Sequence, residues 1–207
     1  MRNIFRTVLV AATIFSIGAQ HGAKAAMVGA PMALRGAIQH IKFDRPSMSP
    51  MAFTRFCLAY SEECKPQRRM VFRGSRIKMT DERMATLKAV NRSVNASIRF
   101  EANTEGVHAE RWVINPATGD CNDYAVSKRH ELLARGWSTR SLLLSEVVTS
   151  WGEHHLVLVV RTNQGDLVLD NLTGHILPWS KKSFQWVRIQ TPENPKYWAS
   201  LSGDRNA

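Results

Sequence analysis

The order of elements along the chain predicts an α+β domain, with helices packed on an antiparallel sheet. Three observations carry this. Residues 80–98 have a helical repeat behind a capping residue. Residues 120–136 read as a second helix with its own start and stop signals. Beyond them the pattern changes to a run of short strands.

Taken in order, residues 26–48 are mixed, with Pro31, Pro46 and several glycines, and read as mostly loop. Residues 49–60, SPMAFTRFCLAY, read as a short helix, with Ser49 as cap and Pro50 at the first helical position. In residues 80–98, Thr80 is the cap, and Asp81 and Glu82 sit in the first turn, where the helix dipole favours acids. Met84, Leu87, Val90, Val94 and Ile98 then recur at steps of three and four, which makes a packing face. Glu101 to Gly119 is polar and turn-rich. The helix DCNDYAVSKRHELLARGW begins at, or just before, Cys121, and Gly136 stops it. Strands are expected at 140–148, 155–161, 166–172 and 184–190, the second of them apolar on both faces and so buried.

The 207-residue chain opens with Arg2 and Arg6 ahead of an apolar run from Val8 to Ala19, followed by Ala23-Lys24-Ala25. A basic start, a short apolar stretch and small residues at a cut describe a secretory signal peptide, residues 1–25. The run is shorter than the roughly 20 residues a membrane span needs, which argues against a permanent anchor. The remaining residues 26–207 suit one domain, periplasmic or secreted, with no stable membrane insertion after cleavage. The formal charge of +11 falls to about +8 when the leader's three cations leave. A diffuse positive surface suits anionic envelope polymers or acidic proteins. Nucleic acid is excluded as a partner class, because the chain reads as exported and carries no reading motif.

Cys57 and Cys64 stand close together, and in an oxidising compartment they read as a short-loop disulfide. A metal pair is the other reading, but no second CxxC or HxxxH completes a site. Cys121 is left over, between Asp120 and Asp123. A thiol is a good nucleophile as thiolate, and a helix start or an imidazolium stabilises that anion. The two aspartates oppose it unless they are engaged elsewhere, and capping is their simplest role.

A base is needed, and the positions of the histidines narrow the choice. His21 leaves with the leader, His40 and His108 lie in poorly structured stretches, and His175 follows the last hairpin. His130 lies on the cysteine's own helix, too far along to reach it. His154 and His155 begin a buried strand and point to opposite faces. If a four-residue loop 162–165 joins the strands, Arg161 faces Asp166 and Val157 faces Asp170. His155 is then the diagonal neighbour of Asp170, and His154 faces away. A one-residue slip would reverse the choice. Cys121, His155 and Asp170 thus suit attack, proton transfer and orientation of the imidazole. On pattern alone, the same residues suit a domain with a structural thiol. Trp112 is a candidate for lining the cleft, and Trp179, Trp186 and Trp198 read as packing.

GDCNDYAVSKRHELLARGW and HHLVLVVRTNQGDLVLDNL, with FCLAYSEECKP and LKAVNRSVNASIRF upstream, resemble the bacterial transglutaminase-like cysteine proteinase family over roughly residues 50–200. The resemblance implies a transglutaminase-like, papain-related fold and a Cys-His-Asp triad, here Cys121, His155 and Asp170. It implies a protein or peptide substrate and hydrolysis through a thioester, with transfer to an amine as a variant. The family includes periplasmic proteases that cut surface adhesins and bind calcium through acidic residues just before the catalytic cysteine. Asp120 is the one candidate calcium ligand carried over, and Thr118 stands where those proteases have a second acid. The chemistry itself requires no cofactor, and the lone acid argues against calcium dependence and an adhesin substrate. Two other functions fit the chain: a silent binding or regulatory module of the same fold, and an amidase for cell-wall peptides.

Overall fold

The structure, a computed structural model, describes residues 39–67, 75–104, 106 and 109–201, all within the unit Met32–Ala207. The expected leader, Arg68 and Arg69, and His108 lie outside the described residues. Among the described residues, nine strands and three α-helices are assigned. They are β1 (Phe43–Ser47), α1 (Met51–Ala59), α2 (Asp81–Ser97), β2 (Arg99–Phe100), β3 (Thr118–Gly119), α3 (Cys121–Ala134), β4 (Leu142–Val148), β5 (His154–Thr162), β6 (Gly165–Leu169), β7 (Leu177–Pro178), β8 (Gln185–Gln190) and β9 (Trp198–Leu201). Seven strands form one antiparallel sheet in the order β1-β9-β8-β4-β5-β6-β7. This is the α+β architecture expected from the sequence.

The helices arise where the sequence placed them. Thr80 caps α2, its hydroxyl accepting from the Arg83 N–H at 3.2 Å, and Leu87, Val90 and Val94 are buried. Pro50, not Ser49, is the N-cap of α1 and carries no side-chain cap bond. At 43–47 a strand stands where a loop was expected. Its residues hydrogen-bond β9 at the sheet edge, where Pro46 is tolerated. The polar segment before Cys121 holds a second small sheet, with β2 parallel to β3. The first hairpin strand is longer than expected and the second shorter, Gly165–Leu169.

The hairpin differs from expectation in its loop and agrees in its register. Thr162 pairs with Gly165, so the turn has only two loop residues, Asn163 and Gln164, and Gly165 takes φ +111°. Arg161 still faces Asp166, and Leu158 faces Leu169. The loop shortens by two residues, one from each side, so the parity of every pair is kept.

Alternation along β5 separates two cores. Leu156, Leu158 and Val160 pack with Phe53, Phe56, Leu87, Val90, Leu132 and other helix-side residues. Val157 and Val159 join Ile41, Leu143, Val147, Val168 and Ile189, with Trp179, Phe184 and Trp186 packed against them. Trp112 belongs to the first core. It is 4% exposed, with its ring tilted against those of Phe53 and Phe56, so it packs in the core rather than lining a cleft. Trp198 is buried in the same core, while Trp179 and Trp186 meet edge to face.

The helix that carries Cys121 is buried almost all round. Arg129 is held by Glu63, with Nη1 donating to Oε2 at 2.9 Å and to the main-chain oxygen at 2.8 Å. Arg129 Nε donates to the Leu142 carbonyl at 3.2 Å. Glu63 precedes Cys64, and Cys57 and Cys64 form the expected disulfide. The cross-link fixes the short turn Ser61–Cys64 against α1 and so presents the Glu63 carboxylate to α3. Among the described residues, no helix is long and apolar enough to cross a membrane.

Candidate active site

Cys121 is the first residue of α3 because Asp120 caps the helix. The Asp120 carboxylate accepts from the Asn122 N–H at 2.9 Å, and Asp123 reaches back to the Asp120 N–H at 3.0 Å. Both aspartates therefore have the capping role read from the sequence. Gly119 is required here: a Cβ on it would lie 2.3 Å from Asp123 Oδ2. The other Asp123 oxygen accepts from the Val113 N–H at 2.7 Å and ties the preceding loop to the helix start.

His155 and Asp170 are brought together by the hairpin. His155 Nε2 lies 3.0 Å from Asp170 Oδ1, with both side chains at most 5% exposed. The Asp170 carboxylate also accepts from the Leu172 N–H at 2.9 Å and from Lys182 Nζ at 2.6 Å. Burial raises its carboxyl, but the bonds from His155, Lys182 and Leu172 outweigh this and hold it well below the usual carboxylate range. On α2, Asn95 Nδ2 donates to the Asp170 main-chain oxygen at 3.1 Å. The His155 ring meets Phe184 edge-on at 5.9 Å.

Cys121 approaches β5 one peptide beyond His155, near enough for the Leu156 N–H to favour its thiolate. The helix start does not make this thiol acidic. Burial pushes it up to about 12, against the Leu156 N–H, and the charges of Asp120, Glu110 and Glu153 push the same way. Glu110 is fixed by Trp112 Nε1 at 3.0 Å and by the Asn122 side chain, and burial raises its carboxyl. Cys121 is thus a neutral thiol unless a base takes its proton.

Three of the other described histidines have other partners. His154 is exposed and pairs with Glu146 at 3.2 Å. His130 Nδ1 lies 2.7 Å from Glu63, and His40 lies 3.3 Å from the buried Asp166. His175 is exposed.

Two lysines near Asp170 escaped sequence reasoning. Lys182 follows a 3-10 turn between β7 and β8 and pairs directly with the carboxylate. Lys128 lies seven residues along α3 from Cys121, is 1% exposed, and has its ammonium 5.8 Å from the centre of the Tyr124 ring. Burial lowers its amine to about 7, with Asp170 opposing and Lys182 adding to the shift. A lysine depressed in the fold contributes least when protonation is forced on it. Its stabilising share is full above the unfolded value near 10.4 and is lost as pH falls through about 7. The stability difference between wild type and Lys128→Met should therefore change between pH 10 and 7, favouring the variant at the lower pH. Urea titrations at both pH values measure this, and a constant difference would refute it.

For calcium, the donors near Asp120 line an open recess of about 280 Å³ that includes Glu101, Asn103, Thr104, Thr118 and Asp123. Among the described residues, no three His, Cys, Asp or Glu side chains converge as a metal set. Asp120 and Asp123 are engaged in the capping box, and Arg111 also lines the recess. These residues do not fit a calcium cage.

The family model described as bacterial transglutaminase-like cysteine proteinase BTLCP matches residues 44–206. No curated protein matches the chain. Among solved structures, calcium-bound LapG of Legionella pneumophila is similar at 23% identity and a TM-score of 0.50, over 63% of this chain and 74% of that one. An EGTA-treated LapG of the same organism gives 23% identity and a TM-score of 0.49, over 63% and 72%. The calcium-bound likeness supports the papain-like α+β fold already described. With the family model spanning nearly all of the described domain, the chain belongs to the bacterial transglutaminase-like cysteine proteinases and is a cysteine peptidase.

Proposed function

We propose that the chain is an exported peptidase that cuts protein or peptide substrates in the periplasm or at the cell surface, using Cys121, His155 and Asp170. The bond from His155 to Asp170, with the Cys121 thiol close to the Leu156 N–H of the same strand, carries this reading. With Nε2 on Asp170, the ring nitrogen left to receive a proton is Nδ1. Cys121 sulfur attacks the scissile carbonyl carbon as its proton passes to that nitrogen. Asp170 stays ionised and stabilises the imidazolium. The tetrahedral intermediate collapses, the C–N bond breaks, and the imidazolium protonates the leaving amine. The thioester then takes water, whose proton goes to His155, and the C–S bond breaks to release the acid. The Cys121 N–H, at the first turn of α3, supplies one oxyanion donor. Because burial raises the thiol, attack needs His155 to take its proton.

Residues 1–25 act as a cleavable leader in this reading, and the domain 26–207 is the working enzyme. No cofactor enters the chemistry. Asp120 is the one acid that calcium would take, and the capping role engages it.

The test sets denatured casein against labelled muropeptides, with wild type and Cys121→Ala, in calcium and in EGTA. Casein cleavage that is lost in the variant, with a hydroxylamine-sensitive acyl adduct on Cys121, is the expected result. Equal rates in calcium and EGTA are expected from the engaged carboxylates. Cleavage of muropeptides alone would overturn the proteolytic reading in favour of an amidase. No turnover of either would favour a silent module.

A further inference from the structure

Four side chains, the proposed general base among them, close a ring. His155 bonds Asp170 at 3.0 Å, and Asp170 bonds Lys182 at 2.6 Å. The Lys182 ammonium lies 5.2 Å from the centre of the Phe184 ring, and Phe184 meets His155 edge-on at 5.9 Å. Each member touches the next, and the lysine is the only one from outside the hairpin that brings charge. Its side chain is 7% exposed, so its interaction with Asp170 is little screened by solvent. We infer that Lys182 is a positioning residue for the peptidase reaction: it keeps Asp170 ionised and aimed at His155 down to low pH.

This inference rests on the proposed triad. The groups that face Asp170 are His155 from β5, Lys182 from the turn before β8, Lys128 from α3, and the Leu172 N–H from its own loop; the Asn95 side chain of α2 holds its main-chain oxygen. Among the described residues, Lys182 is the one lysine with a direct bond to the carboxylate. Without it, burial of Asp170 is opposed by the imidazole, one N–H and the charge of Lys128, none of which replaces a directly bonded cation. The carboxyl then protonates at higher pH, and the imidazole loses its orienting anion sooner as the solution is acidified. The sign is fixed: losing a cation moves the acid limb of the activity profile upward.

The experiment measures iodoacetamide alkylation of Cys121 against pH in the full chain, with the disulfide oxidised, for wild type, Lys182→Met, Lys182→Arg and His155→Ala. The acid limb in Lys182→Met should lie about one pH unit above wild type, the low end of the effect of one close opposite charge. Lys182→Arg should bring it back toward wild type. A limb that stays in place in Lys182→Met, while the rate falls equally at every pH or the melting temperature drops, would overturn the inference and leave a merely structural lysine. Should Lys182→Met not fold, Lys182→Gln removes the charge while keeping a donor, and reads the same shift. His155→Ala separates the two readings. If its rates match wild type, the triad fails. If they collapse while the Lys182→Met limb stays in place, only the role of Lys182 fails.

Discussion

Replacing His155 by alanine should slow alkylation of Cys121 at neutral pH by at least about 100-fold, the lower end of what a positioned general base contributes. The reason is the thiol's surroundings. Burial and three nearby carboxylates push its titration to about 12, so almost none of it is thiolate at pH 7 without a proton acceptor. On the proposed mechanism, the imidazole takes that proton and Asp170, bonded to it, stabilises the charge that results. In His155→Ala, the rate should rise only as pH climbs toward the thiol's own range. His154→Ala is the control. That side chain is exposed, pairs with Glu146 and should leave the rate unchanged. Rates measured by mass spectrometry, with Cys57 and Cys64 oxidised, decide the matter. Fast labelling of His155→Ala at pH 7 would remove His155 from the mechanism and with it the proposed triad.

The second large effect is on stability. Glu63→Ala should cost about 3–5 kcal/mol, because it leaves the Arg129 guanidinium buried without its counter-charge. Arg129 is 1% exposed and Glu63 7%, so water cannot replace the lost carboxylate. Urea unfolding at pH 7 measures the loss, and a change under about 1 kcal/mol would show that the pair does not hold the helix. Glu63→Leu with Arg129→Met should recover most of the loss, since an apolar pair of similar volume needs no desolvation of charge. The effect should reach the site. Arg129 lies on the helix that begins at Cys121, and Glu63 is presented by the disulfide-bonded turn. The Glu63→Ala thiol should therefore also be more exposed and label faster in the absence of catalysis.

Much of the molecule was legible in the sequence because its determinants are local. Thr80 and the spacing from Met84 to Ile98 specify a helix over a few turns, and α2 starts where its cap stands. Asp120 and Asp123 can form a capping box only at one place, which puts Cys121 at the first position of α3. Cys57 and Cys64 are near enough in the chain to bridge. The hairpin register followed from parity, so it survived the shorter loop and still set His155 beside Asp170.

Other features depend on segments far apart in sequence. A strand at 43–47 exists because β9, over 150 residues later, offers an edge. Trp112 went to the core because Phe53 and Phe56 surround it there, and no spacing in the sequence records that meeting. The helix start promised a more acidic thiol, yet burial under folded neighbours outweighs the few N–H groups of one turn. Lys182 and Lys128 reach Asp170 from different elements, and nothing in their local sequence marks them. The sequence by itself determined which residues begin and end the elements, and hence which groups stand at helix starts and strand ends. Only the tertiary structure decided how much water and which charges surround each group, because desolvation and Coulomb interactions depend on distance in space rather than along the chain.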